Sequence, residues 1–310
     1  MELIRGIHNL RPRHRGCVAT IGAFDGVHCG HQAVLKGLIV RGKELGLPTT
    51  VVIFEPLPRE YFAPAKAPPR LMSFREKFEA LRALGIDRVL RIRFDDRTRD
   101  MEAETFVQQV FIDGLGVKFI VVGDDVHFGR NRGGNFETLK AWGKQFGFQV
   151  SDTKTLAIGK DRVSSSRIRQ ALETADFALA EQLLGKPYSI SGRVMVGQQL
   201  GRQLDAPTAN LQLYRLRAAM AGVYAVEVHG INNDVHYGVA NVGKRPTVGD
   251  LTKAILEVHI LNFNRDIYGK CIKVVFRKKL RDEKKFASID DLKTYINNDI
   301  VAAKQYFSLT

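Results

Sequence analysis

The sequence predicts two domains of different class: an α/β domain with a parallel sheet, followed by an antiparallel β-barrel closed by a helix. Three observations predict them. Short apolar runs alternate with amphipathic helical stretches in the first half, β-branched runs separated by Gly, Asn and Asp fill the second, and one amphipathic helix ends the chain. A length of 310 residues agrees with two domains of about 150 residues each. Gly185 followed by Pro187 is a helix stop, so we predict domains at residues 1–186 and 187–310.

Four apolar runs in the first half have the length and composition of buried strands: residues 18–21, 50–54, 89–92 and 119–122. Between them, apolar residues recur at helical spacing. Strands that alternate with helices form βαβ units and a parallel sheet covered on both faces. In such sheets ligands bind beyond the carboxyl ends of the strands.

The second half contains five short strand candidates with turn residues between them: residues 190–196, 223–228, 235–241, 255–260 and 272–276. This spacing is typical of an antiparallel barrel or sandwich. A final helix is predicted after Ser288, which has the residue type of an N-cap. Its apolar stripe consists of Leu292, Ile296, Ile300, Ala303 and Phe307.

The composition is that of a globular protein, with 45% hydrophobic and 26% charged residues. No apolar run reaches the roughly 18 residues of a membrane helix, and the first residues do not form a signal segment. We therefore expect a cytoplasmic protein without membrane contact. The three cysteines have no paired spacing that predicts a disulfide framework. The sequence has no feature that fixes an oligomeric state.

The net charge of +14 and the pI of about 9.8 favour polyanionic ligands. A nucleic-acid-binding protein is therefore an alternative to an enzyme that handles phosphates. The chain has no recognisable groove-reading helix or base-stacking motif, so we expect no nucleic-acid partner. The residues that best support the alternative form one basic cluster: Arg277, Lys278, Lys279, Arg281, Lys284 and Lys285.

The segment after the first predicted strand is rich in glycine and opens the first predicted helix. His28 and His31 flank Gly30 there, so both rings can face one anion at the helix N-terminus. This arrangement suits a triphosphate whose α-phosphorus is attacked while pyrophosphate leaves. Zinc is an alternative ligand because His28, Cys29 and His31 are all ligand types, but no other His/Cys cluster supplies the remaining ligands.

Residues 22–31 read Gly-x-Phe-Asp-Gly-x-His-x-Gly-His, and two further motifs follow, Val-Gly-Asp-Asp at 122–125 and a Ser- and Arg-rich stretch at 162–169. In this order they resemble the bacterial bifunctional riboflavin kinase/FMN adenylyltransferase (FAD synthetase) family. The resemblance implies a Rossmann-like nucleotidyltransferase domain that adenylates FMN, with His28 and His31 on the ATP phosphates. The implied ATP and phosphate ligands are Gly22, Phe24, Asp25, Gly30, Asp125, Arg162, Ser165, Ser166 and Arg169.

Residues 197–210, which end in Pro-Thr-Ala-Asn, are similar to the flavokinase loop of the same family. The resemblance implies that the second half phosphorylates riboflavin to FMN with ATP. Thr208 and Asn210 would hold nucleotide-bound Mg²⁺, and Glu257 would be the general base. The implied ATP and flavin ligands are Gly201, Arg202, Asn210 and Arg281.

Two residues set limits on this interpretation. Asp205 stands where the family usually has Gly, so we expect any loss of activity in the kinase half, and a chain with only the adenylyltransferase active is an alternative. A flavin-binding protein without turnover is another. Cys29 lies at the helix N-terminus beside the histidines, so we expect its alkylation to block adenylation.

Overall fold

The computed structural model describes residues 1–123, 125–153, 156–196, 206–215, 217–246 and 252–309. Two compact units are distinguished by their internal contacts. Met1–Pro68 and Phe74–Ser164 form the first, and Pro69–Ser73 and Ser165–Thr310 form the second. Over the described residues, no helix has both the length and the apolar character to cross a membrane.

Six strands form the sheet of the first unit: β1 (Glu2–Arg5), β2 (Cys17–Ile21), β3 (Thr49–Glu55), β4 (Arg88–Arg93), β5 (Val117–Gly123) and β6 (Gln149–Thr153). Their order is β1-β4-β3-β2-β5-β6, and every pair is parallel. The chain leaves β2 toward β3 on one side, while β5 pairs with β2 on the other. The carboxyl ends of β2 and β5 therefore border the switch point at which ligands bind in open α/β sheets. A short hairpin follows, β7 (Ala157–Ile158) and β8 (Asp161–Arg162).

The helices of the first unit are α1 (Cys29–Leu45), α2 (Pro58–Phe62), α3 (Phe74–Ala83), α4 (Asp96–Arg99), α5 (Ala103–Phe106) and α6 (Phe136–Phe146). A π-helix, Val107–Gly114, continues α5, and 3₁₀ turns lie at Ile7–Asn9, Pro12–His14 and Arg130–Arg132. The core is built from the four inner strands and the apolar helix faces, with Val52, Leu90, Phe111 and Ile120 among its fully buried residues. This burial on both faces explains why the inner strands are nearly continuous apolar runs.

Six antiparallel strands close into the barrel of the second unit: β9 (Ser189–Met195), β10 (Thr208–Gln212), β11 (Gly222–His229), β12 (His236–Pro246), β13 (Thr252–Ile260) and β14 (Cys271–Arg281). Their order around the barrel is β10-β13-β12-β11-β14-β9. The last helix, α9 (Ile289–Tyr306), is capped by Ser288, whose Oγ accepts the Asp291 N–H at 3.1 Å. Ala303 of α9 packs with Val223 and Val239 of the barrel, so the predicted fold class, including the closing helix, is confirmed.

Two helices precede the barrel, α7 (Ser165–Glu173) and α8 (Phe177–Leu184). Asp176 caps α8 and Gly185 ends it in the left-handed conformation, as the sequence predicts. Phe177 packs edge-on against Tyr224 of β11 with ring centroids 5.8 Å apart. By contacts, both helices belong to the barrel unit. The division at residues 186 and 187 stays a prediction about the domains.

The strand predictions are correct for all four inner strands of the sheet and for five of the barrel strands. Five strands were missed: β1, β6, β10 and the two short strands β7 and β8. The edge strand β6 reads Gln-Val-Ser-Asp-Thr and has no fully buried residue, so its sequence lacks a strand signal. In β10 only Ala209 and Leu211 face inward, too few for a periodicity to stand out from a loop.

Candidate functional sites

The loop between β2 and α1 has an unusual backbone. Phe24, Gly26 and Val27 have positive φ angles of 48°, 88° and 43°. A positive φ is rare for a β-branched residue such as Val27 and is strained. The Phe24 and Val27 side chains are both buried, so packing imposes the conformation. This strained loop is held in one conformation by its buried side chains, so it presents His28 in one defined position.

His28 is the N-cap of α1 and contacts His31 in two ways. Its Nδ1 accepts the backbone N–H of His31 at 3.2 Å, and the two rings stack with centroids 3.6 Å apart and an interplanar angle of 16°. Because Nδ1 accepts, the ring proton is assigned to Nε2, which can donate to a ligand. Gly30 leaves room for this ring, since a Cβ there would lie 3.2 Å from the Cε1 and Nδ1 atoms of His28.

Both imidazoles are held neutral. Burial lowers the pKa of His28 to about 4, against the opposing effect of the Asp25 carboxylate. Burial, followed by the neighbouring His28, holds the pKa of His31 well below its ordinary value. The Nδ1 atom of His31 is buried and has no hydrogen-bond partner among the described residues. Neutral imidazoles at the positive end of a helix dipole can bind an anion without themselves changing charge.

The second predicted motif lies at the neighbouring strand. Asp125 follows β5, and its carboxylate accepts a 2.8 Å ion-pair contact from Arg162 at the end of β8. The charges of Asp125 and Arg162 both act on His28. The first unit thus brings together His28, His31, Asp25, Asp125 and Arg162 from three separate stretches of sequence. Among the described residues, no group of three or more His, Cys, Asp or Glu side chains is arranged to hold a metal ion.

An aromatic cluster lies at the same edge of the sheet and was missed by the sequence analysis. The Phe94 ring, just after β4, contacts three other rings at centroid distances of 5.4–5.7 Å: those of Phe54, Tyr61 and Phe62. Phe62 is 62% exposed. Exposed aromatic faces bind planar apolar ligands. The four residues come from three segments, and only the sheet order brings those segments together.

Glu257 lies at the centre of the site in the second unit. In strand register it pairs with Asn210 of β10 on one side and with Asn241 of β12 on the other. Paired residues on neighbouring strands project to the same face, so two amides flank the carboxylate. Leu256 and Val258 are buried inside the barrel, which places Glu257 on its outer face. Asn241 was not predicted as a site residue, because the pairing of β12 with β13 cannot be derived from sequence periodicity.

Thr208 and Asn210 are two residues apart on β10 and therefore share the face of Glu257. Thr208 is the register partner of His259, whose Nδ1 lies 3.0 Å from the carbonyl oxygen of Pro207. A further carboxylate lies near Asn241. A Cβ at Gly243 would lie 2.6 Å from Oε1 of Glu283, so this glycine admits the Glu283 side chain. The face thus presents hydroxyl, amide and carboxylate oxygens in one place.

Arg281 has a structural partner that its sequence motif does not predict. Its Nε and Nη2 atoms form a bidentate pair with the buried Asp299 of α9, at 2.9 Å to Oδ1 and 2.8 Å to Oδ2. The guanidinium also lies 5.6 Å from the Phe286 ring and 5.5 Å from the Tyr295 ring. The predicted contact of Arg281 with ligand remains a prediction. The sequence signal for Asp299 was its place three residues after Ile296, on the apolar stripe of the helix.

The remaining predicted residues lie on α7 or outside the described residues. Ser165, Ser166 and Arg169 lie on α7 in the second unit, where the Nε atom of Arg169 donates to the Pro69 carbonyl at 2.7 Å. Gly201, Arg202 and Asp205 lie outside the described residues. Their predicted roles stay predictions.

The chain matches the FAD synthetase family over residues 10–167 and the riboflavin kinase family over residues 184–307. It is 53% identical over 304 residues to a bifunctional riboflavin kinase/FMN adenylyltransferase of Pseudomonas fluorescens, which covers 98% of this chain and 97% of that protein. A bifunctional riboflavin kinase/FMN adenylyltransferase of Escherichia coli (strain K12) is 49% identical, and the match covers 100% of this chain and 99% of that protein. A crystal structure described as a macrolide-efflux protein from Streptococcus pneumoniae superposes with a TM-score of 0.78 at 29% identity, over 98% of this chain and 99% of that one. The chain therefore belongs to the bifunctional riboflavin kinase/FMN adenylyltransferase family, with its FAD synthetase part N-terminal and its riboflavin kinase part C-terminal, as the motifs predict.

Proposed function

We propose that the second unit phosphorylates riboflavin to FMN and the first unit adenylates FMN to FAD, each with ATP and Mg²⁺, at the two groups of residues described above. The observation that carries this assignment is the contrast in charge. Neutral imidazoles lie at a helix N-terminus in one unit, and a carboxylate lies between two amides in the other. The two reactions need this difference.

The adenylation of FMN needs no base, because the attacking phosphate oxygen is already ionised. It attacks the α-phosphorus of ATP, the bond to the β-phosphate oxygen breaks, and pyrophosphate leaves with its charge. What this chain supplies is charge stabilisation and alignment. Nε2–H of His28 and Arg162 are the donors for the phosphates, and the positive end of the α1 dipole favours their charge. The exposed face of Phe62 is the surface for the flavin ring.

The phosphorylation of riboflavin does need a base, because its 5′-hydroxyl is neutral. As the hydroxyl oxygen bonds to the γ-phosphorus, its proton moves to the carboxylate of Glu257, and ADP leaves. Asn210 and Asn241 flank that carboxylate in strand register. Glu257 lies on a strand paired on both sides, which keeps its position rigid.

The donor set of the barrel face fits Mg²⁺. Thr208 supplies a hydroxyl oxygen and Asn210 an amide oxygen, and hard oxygen ligands beside nucleotide phosphates are what Mg²⁺ prefers. When bound, the ion neutralises phosphate charge. Thr208 and Asn210 are the residues that would hold it.

The basic cluster gives the nucleic-acid alternative little support. Arg277 pairs with Glu227, Lys279 with Asp282, and Arg281 with Asp299. These cations are therefore partly neutralised within the chain. The absence of a nucleic-acid partner and a cytoplasmic location remain our expectations.

The test is a time course with full-length protein, riboflavin, ATP and Mg²⁺, with flavins separated by chromatography. We expect FMN first and FAD later, and neither product when Mg²⁺ is chelated by EDTA. FAD formed from added FMN without any FMN formed from riboflavin would overturn the kinase half of the proposal and make Asp205→Gly the next variant. Yellow protein with unconsumed ATP would indicate binding without turnover. A salt-dependent gel shift with duplex and single-stranded nucleic acid tests the alternative.

A further inference from the structure

A buried carboxylate lies on the last helix, and the proposed reactions have so far made no use of it. Asp299 and Ala303 are the two buried residues of α9, one turn apart on the face that packs against the barrel. Asp299 is only 6% exposed. A buried carboxylate loses its hydration, so it is costly unless a cation is paired with it. The cation here is the guanidinium of Arg281, held by the bidentate contact described above.

Arg281 contacts both ends of the loop that follows it. It is the last residue of β14, and its backbone pairs with Val223 of β11. Its guanidinium lies 5.6 Å from the ring of Phe286, at the far end of the loop. Residues 282–285 therefore form a short loop whose two ends meet at one guanidinium. Since Asp299 holds that guanidinium, it also limits where the loop can lie.

The loop brings the carboxylate of Glu283 to the face of the proposed kinase site. A Cβ at Gly243 would lie 2.6 Å from Oε1 of Glu283 and 3.7 Å from Nδ2 of Asn241, so the carboxylate and the amide border the same small space. Asn241 is the register partner of Glu257. The carboxylate of Glu283 therefore lies beside the row formed by Asn210, Glu257 and Asn241.

Glu283 lies at one end of this row, and the proposed Mg²⁺ ligands lie at the other. Those ligands are on β10, Glu257 is on the middle strand β13, and Glu283 lies over β12. In phosphoryl transfer the attacking and leaving oxygens are in line, so ATP with its metal ion and the alcohol approach the transferred group from opposite sides. The alcohol therefore lies on the side of Glu283. A carboxylate there repels phosphates and accepts hydrogen bonds from hydroxyl groups, which the ribityl chain of riboflavin supplies.

We propose that Asp299 is a positioning residue for the phosphorylation of riboflavin: through Arg281 it holds the loop in which Glu283 accepts hydrogen bonds from the ribityl hydroxyls. The inference rests on the proposed kinase site around Glu257. The bidentate contact matters because a planar guanidinium held at two nitrogens is kept in one orientation against the Phe286 ring. Asp299 then contributes to the binding of riboflavin and not to the binding of ATP.

The test measures the KM of riboflavin, the KM of ATP and kcat for FMN formation in the full-length protein. In Asp299→Asn and in Glu283→Gln we expect the riboflavin KM to rise about tenfold, the effect of losing one hydrogen bond to a charged group, with kcat and the ATP KM unchanged. Asp299→Glu keeps the charge opposite Arg281 and should keep the riboflavin KM near wild type. Asp282→Asn is the control, because it removes an exposed carboxylate of the same loop that is paired with Lys279, and it should leave all three constants unchanged.

A double variant tests whether Asp299 acts through Glu283. Asp299→Asn/Glu283→Gln should raise the riboflavin KM no further than the larger single change does. Independent effects would multiply to about a hundredfold and would overturn the route through Glu283. An unchanged riboflavin KM in folded Asp299→Asn protein overturns the role of Asp299. An equal rise in the KM of ATP also overturns it, because it indicates a general disturbance of the barrel.

Failure of the kinase assignment is distinguished by the wild-type protein, which would then form no FMN at any riboflavin concentration and would overturn both proposals. Thermal unfolding followed by circular dichroism shows whether each variant is folded. If Asp299→Asn does not fold, Asp299→Asn/Arg281→Gln removes both charges of the pair and is measured instead, with and without Glu283→Gln. The expectations for the three kinetic constants are the same.

Discussion

The two units position their chemical groups by different means. In the first, the groups stand on loops and a helix end beyond parallel strands, and a strained, buried backbone fixes them. In the second, Asn210, Glu257 and Asn241 stand on the strands themselves, and register fixes them. Three neighbouring strands of the barrel place three side chains in a row. A loop at a switch point can instead gather residues that are distant in sequence around one anion.

The two units also differ in the charge of the groups that they position. The first unit lowers the pKa of two imidazoles so that they remain neutral, whereas the second presents a carboxylate that can accept a proton. The difference suits the nucleophiles of the proposed reactions, an ionised phosphate in one and a neutral alcohol in the other. Each unit should therefore respond to substitution in its own reaction only.

The largest expected effect is that of Glu257→Gln. The amide keeps the size of the side chain but cannot accept the proton, so FMN formation should fall by about 10²–10⁴-fold. FAD formation from added FMN should be unchanged. Both rates are measured by flavin chromatography on one preparation. Glu227→Gln removes another carboxylate from the barrel, one paired with Arg277, and should keep kinase activity near wild type. A loss below tenfold in Glu257→Gln would mean that another group takes the proton.

His28→Asn is the matching substitution in the first unit. Asn is a good N-cap and can accept the His31 N–H in place of Nδ1, so stability should be kept while the donor Nε2–H is lost. We expect FAD formation to fall by about 10²–10³-fold, the usual effect of removing one donor to a developing charge. Riboflavin phosphorylation serves as the internal control. Equal losses in both activities would show that the units do not work independently.

The fold could be predicted from the sequence where each element carries its own signal. The four inner strands are apolar runs because both faces are buried, and Ser288, Asp176 and Gly185 mark helix ends by residue type. His28, His31 and Glu257 were predicted as site residues from motifs that resemble the family, and their roles stay predictions. These signals are local and can be recognised without a structure.

Residues that depend on pairing between distant segments could not be found in this way. Asn241 reaches Glu257 only through strand register, and Phe62 reaches Phe94 only through the order of the sheet. Lys77 and Asp299 each interrupt an apolar helix stripe, which is a sequence signal for a buried ion pair. The signal marks the residue but not its partner, since Glu55 and Arg281 lie on separate strands.

The low pKa of His28 makes the first unit sensitive to acid. The folded state takes up this proton only near pH 4, whereas the unfolded chain takes it up near 6.5, so the unfolded state binds more protons between these values. Stability is therefore full above about pH 6.5 and falls as the pH drops toward 4, by up to about 3 kcal/mol. Denaturant titrations followed by Trp142 fluorescence measure this unit. His28→Asn should flatten the slope, and an equal slope in the variant would assign it to other groups.

The smallest expected effect comes from replacing two glycines on α1. The comparison of the two variants separates the fit of the His28 ring from the stability of the helix. A Cβ at Gly30 would lie 3.2 Å from two atoms of the His28 ring, while a Cβ at Gly37 would meet Thr153 and Val121 at an ordinary 3.7 Å. Both replacements by Ala should favour the helix, by up to about 1 kcal/mol. Only Gly30→Ala should displace the imidazole. We expect this displacement to raise the activation barrier of adenylation by about 1.4 kcal/mol, which slows FAD formation about tenfold. Gly37→Ala should adenylate FMN at the wild-type rate with equal or greater stability. If the two variants lost activity equally, the flexibility of α1 would matter rather than the position of His28. The first unit would then not depend on a loop that holds His28 in place, and the contrast with the strand register of the second unit would not hold.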